Sequence, residues 1–495
     1  MKRNKVLHIV LNPVFAAIFL FVLFVVTAFH LYIVYDESLW MYIGNLWNNK
    51  GIPPYVGAVE NKTPGIFILF AISDYLTSGN VFFVRGLGVV ATMFTALFLY
   101  GICAKIYNKT AAVISLYVFG FITCWQLMDG FAFAHTEVFM ILFSTMSFYA
   151  LMQSQFSKKN IIWLFLVGLS MGIAITFKQI AITTAFALLV VFLVLNKEKP
   201  FLYLLNRVLI IVFGISFSTF LSFLVLYFYG VSFYDYLEGA WLILFNSGSK
   251  VTNISEHFTN FINALVFSRL VFFYPIIIWF LWKKNFLNHS HKMLLILWLL
   301  FDFVGVNASG YYYGHQLKQM LPAFSIIMAI SISFLIGKRY NDNTNGFYTV
   351  AAQIVLLIGI VCFPYKQIYQ NFKLITQYDN TSLTPHVEIA NWIKENSTSE
   401  DYIYIIGGEP NLIRTQAIVN RTSASKYFQS LFLTSDYERG ILMEDLKQNL
   451  PVFILRDQFI DENILKKYGN KFKTFVDENY VLVKTMYNVE ILKQL

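Results

Sequence analysis

The sequence predicts a polytopic α-helical membrane protein that carries a small α/β domain at its C-terminal end. Three observations predict it. Of 495 residues, 57% are hydrophobic and 13% charged, and the mean hydropathy of +0.59 is far above that of a soluble globular chain. Apolar runs recur at lengths near the ~20 residues that a helix needs to cross a hydrocarbon core. Beyond Phe363 and Pro364 those runs stop and a mixed helix and strand pattern begins.

The candidate spans are 9–34, 81–103, 111–127, 134–153, 161–177, 179–195, 203–229, 262–282, 293–309, 319–337 and 347–364, about eleven in all. The first follows Lys2, Arg3 and Lys5 as a signal peptide would. It is too long for one and lacks a small-residue cleavage site, so it reads as an uncleaved span. Lys2/Arg3/Lys5, Lys105/Lys109, Lys158/Lys159, Lys197/Lys199, Lys283/Lys284/Lys292 and Lys338/Arg339 fall in every second connection. The positive-inside rule makes those loops cytoplasmic. The alternate connections, the C-terminal domain and an odd number of spans then place the chemistry outside, in a multi-pass plasma (inner) membrane protein with an extracytoplasmic, periplasmic site.

The net charge of +9 is therefore a topology signal. Lys and Arg are scattered in short clusters rather than gathered on one stripe, so no nucleic-acid partner is expected. Cys103, Cys124 and Cys362 lie in apolar runs at unrelated spacings, which supports neither a disulfide framework nor a zinc site.

The first outer connection is long. Leu39, Trp40, Ile43, Leu46 and Trp47 form a helical stripe, read as a helix lying in the membrane interface with its aromatic side toward lipid. Gly51, Ile52, Pro53 and Pro54 make a turn, and 64–76 is apolar but too short to span. The 230–260 connection, with Tyr234, Tyr236, Trp241 and Phe245, reads as another interfacial segment. Domain boundaries follow: 1–364 transmembrane, 365–495 extracytoplasmic α/β. In the latter, helical patterns at 384–395 and 444–449 alternate with strand-like runs at 402–406, 452–455 and 480–484. Gly407-Gly408 after a strand is no dinucleotide fingerprint.

Asp36 and Glu37 stand where the first apolar run ends. Carboxylates at its centre would cost ~2.5–3.5 kcal/mol each, so the pair belongs at the exit. Asp36 suits either the N-cap of a helix starting at Glu37 or a chemical role; consecutive helical residues point ~100° apart, so the two acids cannot easily address one atom. Glu60 and Lys62 form an ordinary solvated turn or a charged site. His135 and Glu137 fall in the second outer loop with Asp129. Lys178 and Gln179 interrupt an apolar hairpin, where a charge snorkels or finds a partner. His315 and Lys318, at i and i+3, are placed to hold a phosphate together or to be an aromatic-belt histidine and a snorkelling lysine. Jointly, outer carboxylates to deprotonate a hydroxyl, cations to neutralise a phosphate and apolar helices to take a lipid tail suit a lipid-phosphate-sugar donor.

Asp36-Glu37, the Gly51 to Tyr55 turn and Glu60-Asn61-Lys62-Thr63-Pro64-Gly65 resemble the first periplasmic loop of bacterial GT-C glycosyltransferases. These are relatives of dolichyl-phosphate-mannose–protein mannosyltransferases and of the lipid A aminoarabinose transferase. Ala134-His135-Thr136-Glu137, Lys178-Gln179, Tyr312-Tyr313-Gly314-His315 with Leu321-Pro322, Ile405-Ile406-Gly407 and Asn420-Arg421 resemble the family in order and spacing. The resemblance implies a GT-C fold with two interfacial helices in the first outer loop, and inverting transfer from a polyprenyl-phosphate sugar to a hydroxyl acceptor of unspecified kind. It implies Asp36 as general base, with Glu37 its neighbour in the catalytic set and Glu137 orienting acceptor or metal. Lys62, Lys178, Gln179, His315 and Lys318 would bind the donor phosphate, and Glu60 would ligate a divalent metal ion, the one candidate cofactor. Here Asn61 separates the acid from the lysine and Thr63 precedes the proline, a departure from the family's acid-Lys-Pro element. The competing reading is a lipid-linked-glycan flippase, for which Asp302, Arg85, Arg207 and Arg269 in or near spans would line a path.

Overall fold

The computed structural model describes residues 9–30, 33–155, 160–246, 253–266, 270–339, 344–366, 368–369, 372, 384–407 and 410–495. Lys2, Arg3, Lys5, Lys158, Lys159, Arg269 and Gly408 lie outside the described residues. The chain forms two compact units, one of 1–30, 85–221 and 251–372, the other of 31–84, 222–250 and 373–495. The first outer connection and the 222–250 segment thus cluster with the C-terminal residues.

The first unit is helical. Asn12 accepts hydrogen bonds from the amides of Val14 and Phe15 and is followed by Pro13, which starts the Pro13–Ala28 helix in the way caps and N1 prolines do. Asn108 caps Lys109–Cys124 likewise. Among the described residues, five helices, Val81–Ile106, Asn160–Phe177, Phe201–Phe228, His289–Val306 and Gly314–Lys338, are long and apolar enough to cross a membrane. Burial separates their positions: 83% of the apolar window of Gly314–Lys338 is buried, against 22% for Phe201–Phe228. The former is core, and the latter offers its apolar surface outward as a lipid-facing helix must. Thr136–Ser154 packs on Asn160–Phe177, His289–Val306 on Ala181–Leu195, and Leu321–Arg339 on Lys109–Cys124. Phe148 and Trp298 stack at 3.8 Å within this core.

One expected span is different. Instead of a single helix over 262–282, there are helices Ile254–Val266 and Tyr274–Trp282, with a 3-10 turn at Val271–Phe273. Pro275 stands in the first turn of the second helix, where its missing N–H is harmless, whereas inside one continuous helix it would remove a backbone donor and crowd the carbonyl of Val271.

In the second unit the Tyr35–Lys50 helix carries the expected aromatic stripe, but the stripe is buried in protein. Leu39, Trp40, Ile43, Leu46 and Trp47 are at most 5% exposed. They face the Pro64–Thr77 and Pro410–Val419 helices, with Trp40 against Phe70 and Trp47 against Tyr229. A polar clamp fixes the pair of helices: Asn45, Asn48 and Asn49 all donate to the Asp74 carboxylate, at 2.8 to 3.0 Å. Amphipathicity alone cannot tell a lipid partner from a protein one.

The C-terminal residues build a five-stranded sheet of order β2-β1-β3-β5-β4, with β1 Tyr402–Ile406, β2 Thr422–Ser423, β3 Phe453–Asp457, β4 Tyr480–Met486 and β5 Val489–Gln494. β1 runs parallel to β2 and β3, while β5 is antiparallel to β3 and β4. Tyr487 and Asn488, both at positive φ, turn the β4–β5 hairpin tightly. The Thr384–Glu395 helix is where the pattern places it; 444–449 proves to be the end of a longer helix, Asp436–Gln448. The sheet domain is tied to the first outer connection of its own unit. Ser423 N donates to Tyr42 Oη at 2.8 Å, and Val59 N to the Lys426 carbonyl at 3.0 Å.

Candidate active site residues

In the second unit, the carboxylates 36 and 37 have separate environments. The helix starts at Tyr35 with Val34 as N-cap, two residues earlier than an Asp36 cap requires. Glu37, at N3, is fully buried and its Oε2 accepts the Val34 amide at 3.1 Å, the contact a glutamate at N3 makes in a capping box. Asp36, at N2, is half-buried and makes no hydrogen bond or ion pair with a described residue.

Glu60 is 4% exposed and its Oε1 accepts Lys62 Nζ at 3.0 Å. Lys62 also donates to Asn61 Oδ1 at 2.7 Å, so the intervening Asn61 becomes part of the pair. Gln429 reaches this turn from the sheet domain. Its Nε2 lies 3.1 Å from the Val59 carbonyl and 3.5 Å from Glu60 Oε2, and its Oε1 accepts Tyr35 Oη at 2.8 Å. One side chain thereby holds both the turn of Glu60 and the residue preceding Asp36.

In the first unit, loop residues converge on a histidine. Asp129 ends the Gln126–Met128 3-10 turn in the left-handed region, φ +49°, which Asp tolerates better than most residues. Its Oδ2 accepts His315 N and faces His315 Nδ1, both at 2.9 Å. Gly314 permits this approach, since a Cβ there would stand 2.8 Å from the Leu127 carbonyl oxygen and 2.9 Å from the Asp129 nitrogen. Burial pushes the Asp129 carboxyl upward, yet the hydrogen bonds and charge of His315, with Lys318, bring it down to about 2.

His315 Nε2 lies 3.9 Å from Glu137 Oε1. Glu137, 1% exposed in the first turn of Thr136–Ser154, is ion-paired with Lys178 and accepts Thr136 Oγ1 at 2.9 Å. The charge that interrupts the apolar hairpin has therefore found a carboxylate partner. Gln179 is buried beside it in sequence. Lys318, 2% exposed, donates to the Asp129 carbonyl at 2.9 Å; its ammonium points inward rather than sharing an open face with His315. Asp129 and Thr136 stand in the second-loop stretch that the sequence marks, whereas Gln429 is a member of these constellations that the sequence did not single out and that carries no signal.

Of the groups proposed for a transport path, the three that are described are engaged locally. Asp302 accepts Thr184 Oγ1 at 2.6 Å and Gln319 Nε2 at 3.5 Å, Arg85 donates to the His30 carbonyl, and Arg207 lies over the Tyr203 ring at 5.0 Å. Among the described residues no group of three or more His, Cys, Asp or Glu is arranged to hold a metal ion, and Glu60 is bonded to an ammonium.

Residues 61–225 match the family model of dolichyl-phosphate-mannose-protein mannosyltransferase. No curated protein matches the chain in sequence. Among solved structures, ArnT from Cupriavidus metallidurans in the apo state superposes with a TM-score of 0.64 at 12% identity, over 98% of this chain and 97% of that one. The same protein bound to undecaprenyl phosphate gives 0.63 at 12%, with the same coverage. An Archaeoglobus fulgidus oligosaccharyltransferase tethered to an acceptor peptide gives 0.57 at 11%, over 96% and 74%, and another crystal structure of that enzyme holds Zn and sulfate.

Proposed function

We propose that this multi-pass membrane protein, whose fold is that of the GT-C glycosyltransferases, transfers a sugar from a polyprenyl-phosphate donor to a hydroxyl acceptor on the outer face of the membrane. The observation that carries the reading is the contrast at the start of the Tyr35–Lys50 helix. Glu37 is buried and committed to the helix end, while Asp36 is half-buried and its carboxylate bonds no described residue.

Asp36 takes the proton of the acceptor hydroxyl as its oxygen attacks the anomeric carbon. The carbon–oxygen bond to phosphate breaks, its electron pair leaves with the polyprenyl phosphate, and a single displacement inverts the anomeric centre. Charge grows on the phosphate, which Lys178 and His315 are assigned to stabilise; Lys62, Gln179 and Lys318 belong to the same assignment. Glu137 holds Lys178 in place, and Asp129 holds the His315 ring through Nδ1, leaving Nε2 on the other edge. Undecaprenyl phosphate in ArnT and dolichol-phosphate in the archaeal enzyme support a polyprenyl phosphate as the donor's lipid.

Reconstituted vesicles test this. With a polyprenyl-phosphate sugar and cell-envelope acceptors, the protein releases polyprenyl phosphate in step with glycosylated product. Passage of the lipid across the bilayer without any transfer overturns the reading in favour of a flippase.

A further inference from the structure

Within the second unit, the 232–243 segment and the residues around 426–438 line a solvent-open cleft of about 140 Å³. Its floor is Tyr55. This tyrosine is 3% exposed and sits at φ +68°, an uncommon conformation for an aromatic residue and one held only where the surroundings impose it. They do: Tyr55 Oη donates to the Lys62 carbonyl at 2.6 Å, and its ring meets Phe67 and Tyr236 edge-on. The ring also lies so close to Gly239 that a Cβ there would stand 2.4 Å away. Gly239 belongs to a π-helical turn, Glu238–Leu242, a local widening found frequently at functional sites.

The polar groups of the cleft differ in how far they are committed. Asp235 accepts Ser232 Oγ at 2.5 Å and Glu438 accepts the Ser435 amide at 2.6 Å, so both carboxylates serve their own helix ends. The Glu238 carboxylate makes no hydrogen bond or ion pair with a described residue. Lys426 Nζ lies over the Tyr427 ring at 5.5 Å. Tyr234, 62% exposed, supplies an open aromatic face at the rim. Three carboxylates against one ammonium repel a phosphate. Aromatic faces with an uncommitted hydrogen-bond acceptor and donor suit a ring that is apolar on its C–H face and hydroxylated at its edge.

We infer that this cleft binds a neutral pyranose, the sugar of a glycan acceptor, with Tyr234 stacking on the ring and Glu238 and Lys426 bonding its hydroxyl groups. The acceptor role rests on the transferase reading, while the binding itself does not. The test uses the full chain in detergent and saturation-transfer difference NMR with methyl α-mannopyranoside and methyl N-acetyl-β-glucosaminide, beside a Ser/Thr-rich peptide. No donor is present and no turnover is needed, so an inactive protein that binds sugar separates the two proposals. Saturation should reach the pyranoside ring protons and fall at least fivefold in both Tyr234→Ala and Glu238→Gln, with thermal midpoints unchanged. Absence of pyranoside signals, signals that persist in either variant, or transfer to the peptide alone overturns the inference.

Discussion

Asp129 Oδ2 faces His315 Nδ1 at 2.9 Å and accepts the backbone amide of the same residue at the same distance. Two contacts to one residue fix both the ring and the chain that carries it. The arrangement also stores pH-dependent stability. A carboxyl lowered from its ordinary 3.8 to about 2 stabilises the fold above pH 4, and this contribution is lost as pH falls through 4 toward 2. Discounted for partial exposure, it is worth about 1–2 kcal/mol. Asp129→Asn should lower the unfolding midpoint in detergent at pH 7 and differ little from wild type near pH 2. An equal deficit at both pH values would contradict the assignment.

Glu137 and Lys178 make a pair with side-chain exposures of 2% and 13%. Removing one partner leaves the other buried and uncompensated, at a cost of about 3–5 kcal/mol. Glu137→Gln and Lys178→Met should each destabilise strongly, and the double variant by less than their sum. Strict additivity in a thermal-unfolding cycle would show that the pair contributes no coupling.

Glu37 is expected to matter for stability more than for turnover. Glu37→Gln keeps an acceptor at N3 and should retain activity within about threefold, whereas Glu37→Ala should lose about 1 kcal/mol of stability with the cap. A loss of turnover in the Gln variant as large as that of an Asp36 variant would give Glu37 a direct role in the chemistry.

Gln429 ties Tyr35 to the Val59 and Glu60 turn. Gln429→Leu removes one acceptor from the half-buried Tyr35 phenol and a donor from the buried Val59 carbonyl, a penalty of about 1–3 kcal/mol. It should raise the donor KM or lower kcat about tenfold while Gln429→Glu, which keeps the acceptor for Tyr35, recovers part of it. Steady-state kinetics equal to wild type in the Leu variant would remove Gln429 from the site.

The spans were legible because each must be apolar along most of its length, and the pairing of Lys178 was foreshadowed by its place in an apolar hairpin. What the sequence hid was partnership. The stripe from Leu39 to Trp47 has the same periodicity whether it meets lipid or the Pro64–Thr77 helix, and the break near Pro275 lies inside a predominantly apolar run. Gln429 acts on Tyr35 across 394 positions, and β5 with its Tyr487-Asn488 turn has no alternation strong enough to mark it. Asp36 and Glu37 were recognisable as a pair, but only the position of Val34 as N-cap separates the committed carboxylate from the available one.

The most direct test of the account is the turnover of Asp36→Asn with a polyprenyl-phosphate sugar and an accepting glycan. Since Asp36 bonds to no described residue, its unfolding midpoint should match wild type while kcat falls by at least about 10²-fold. Normal turnover by a correctly folded Asp36→Asn protein would contradict the assignment of Asp36 as the base.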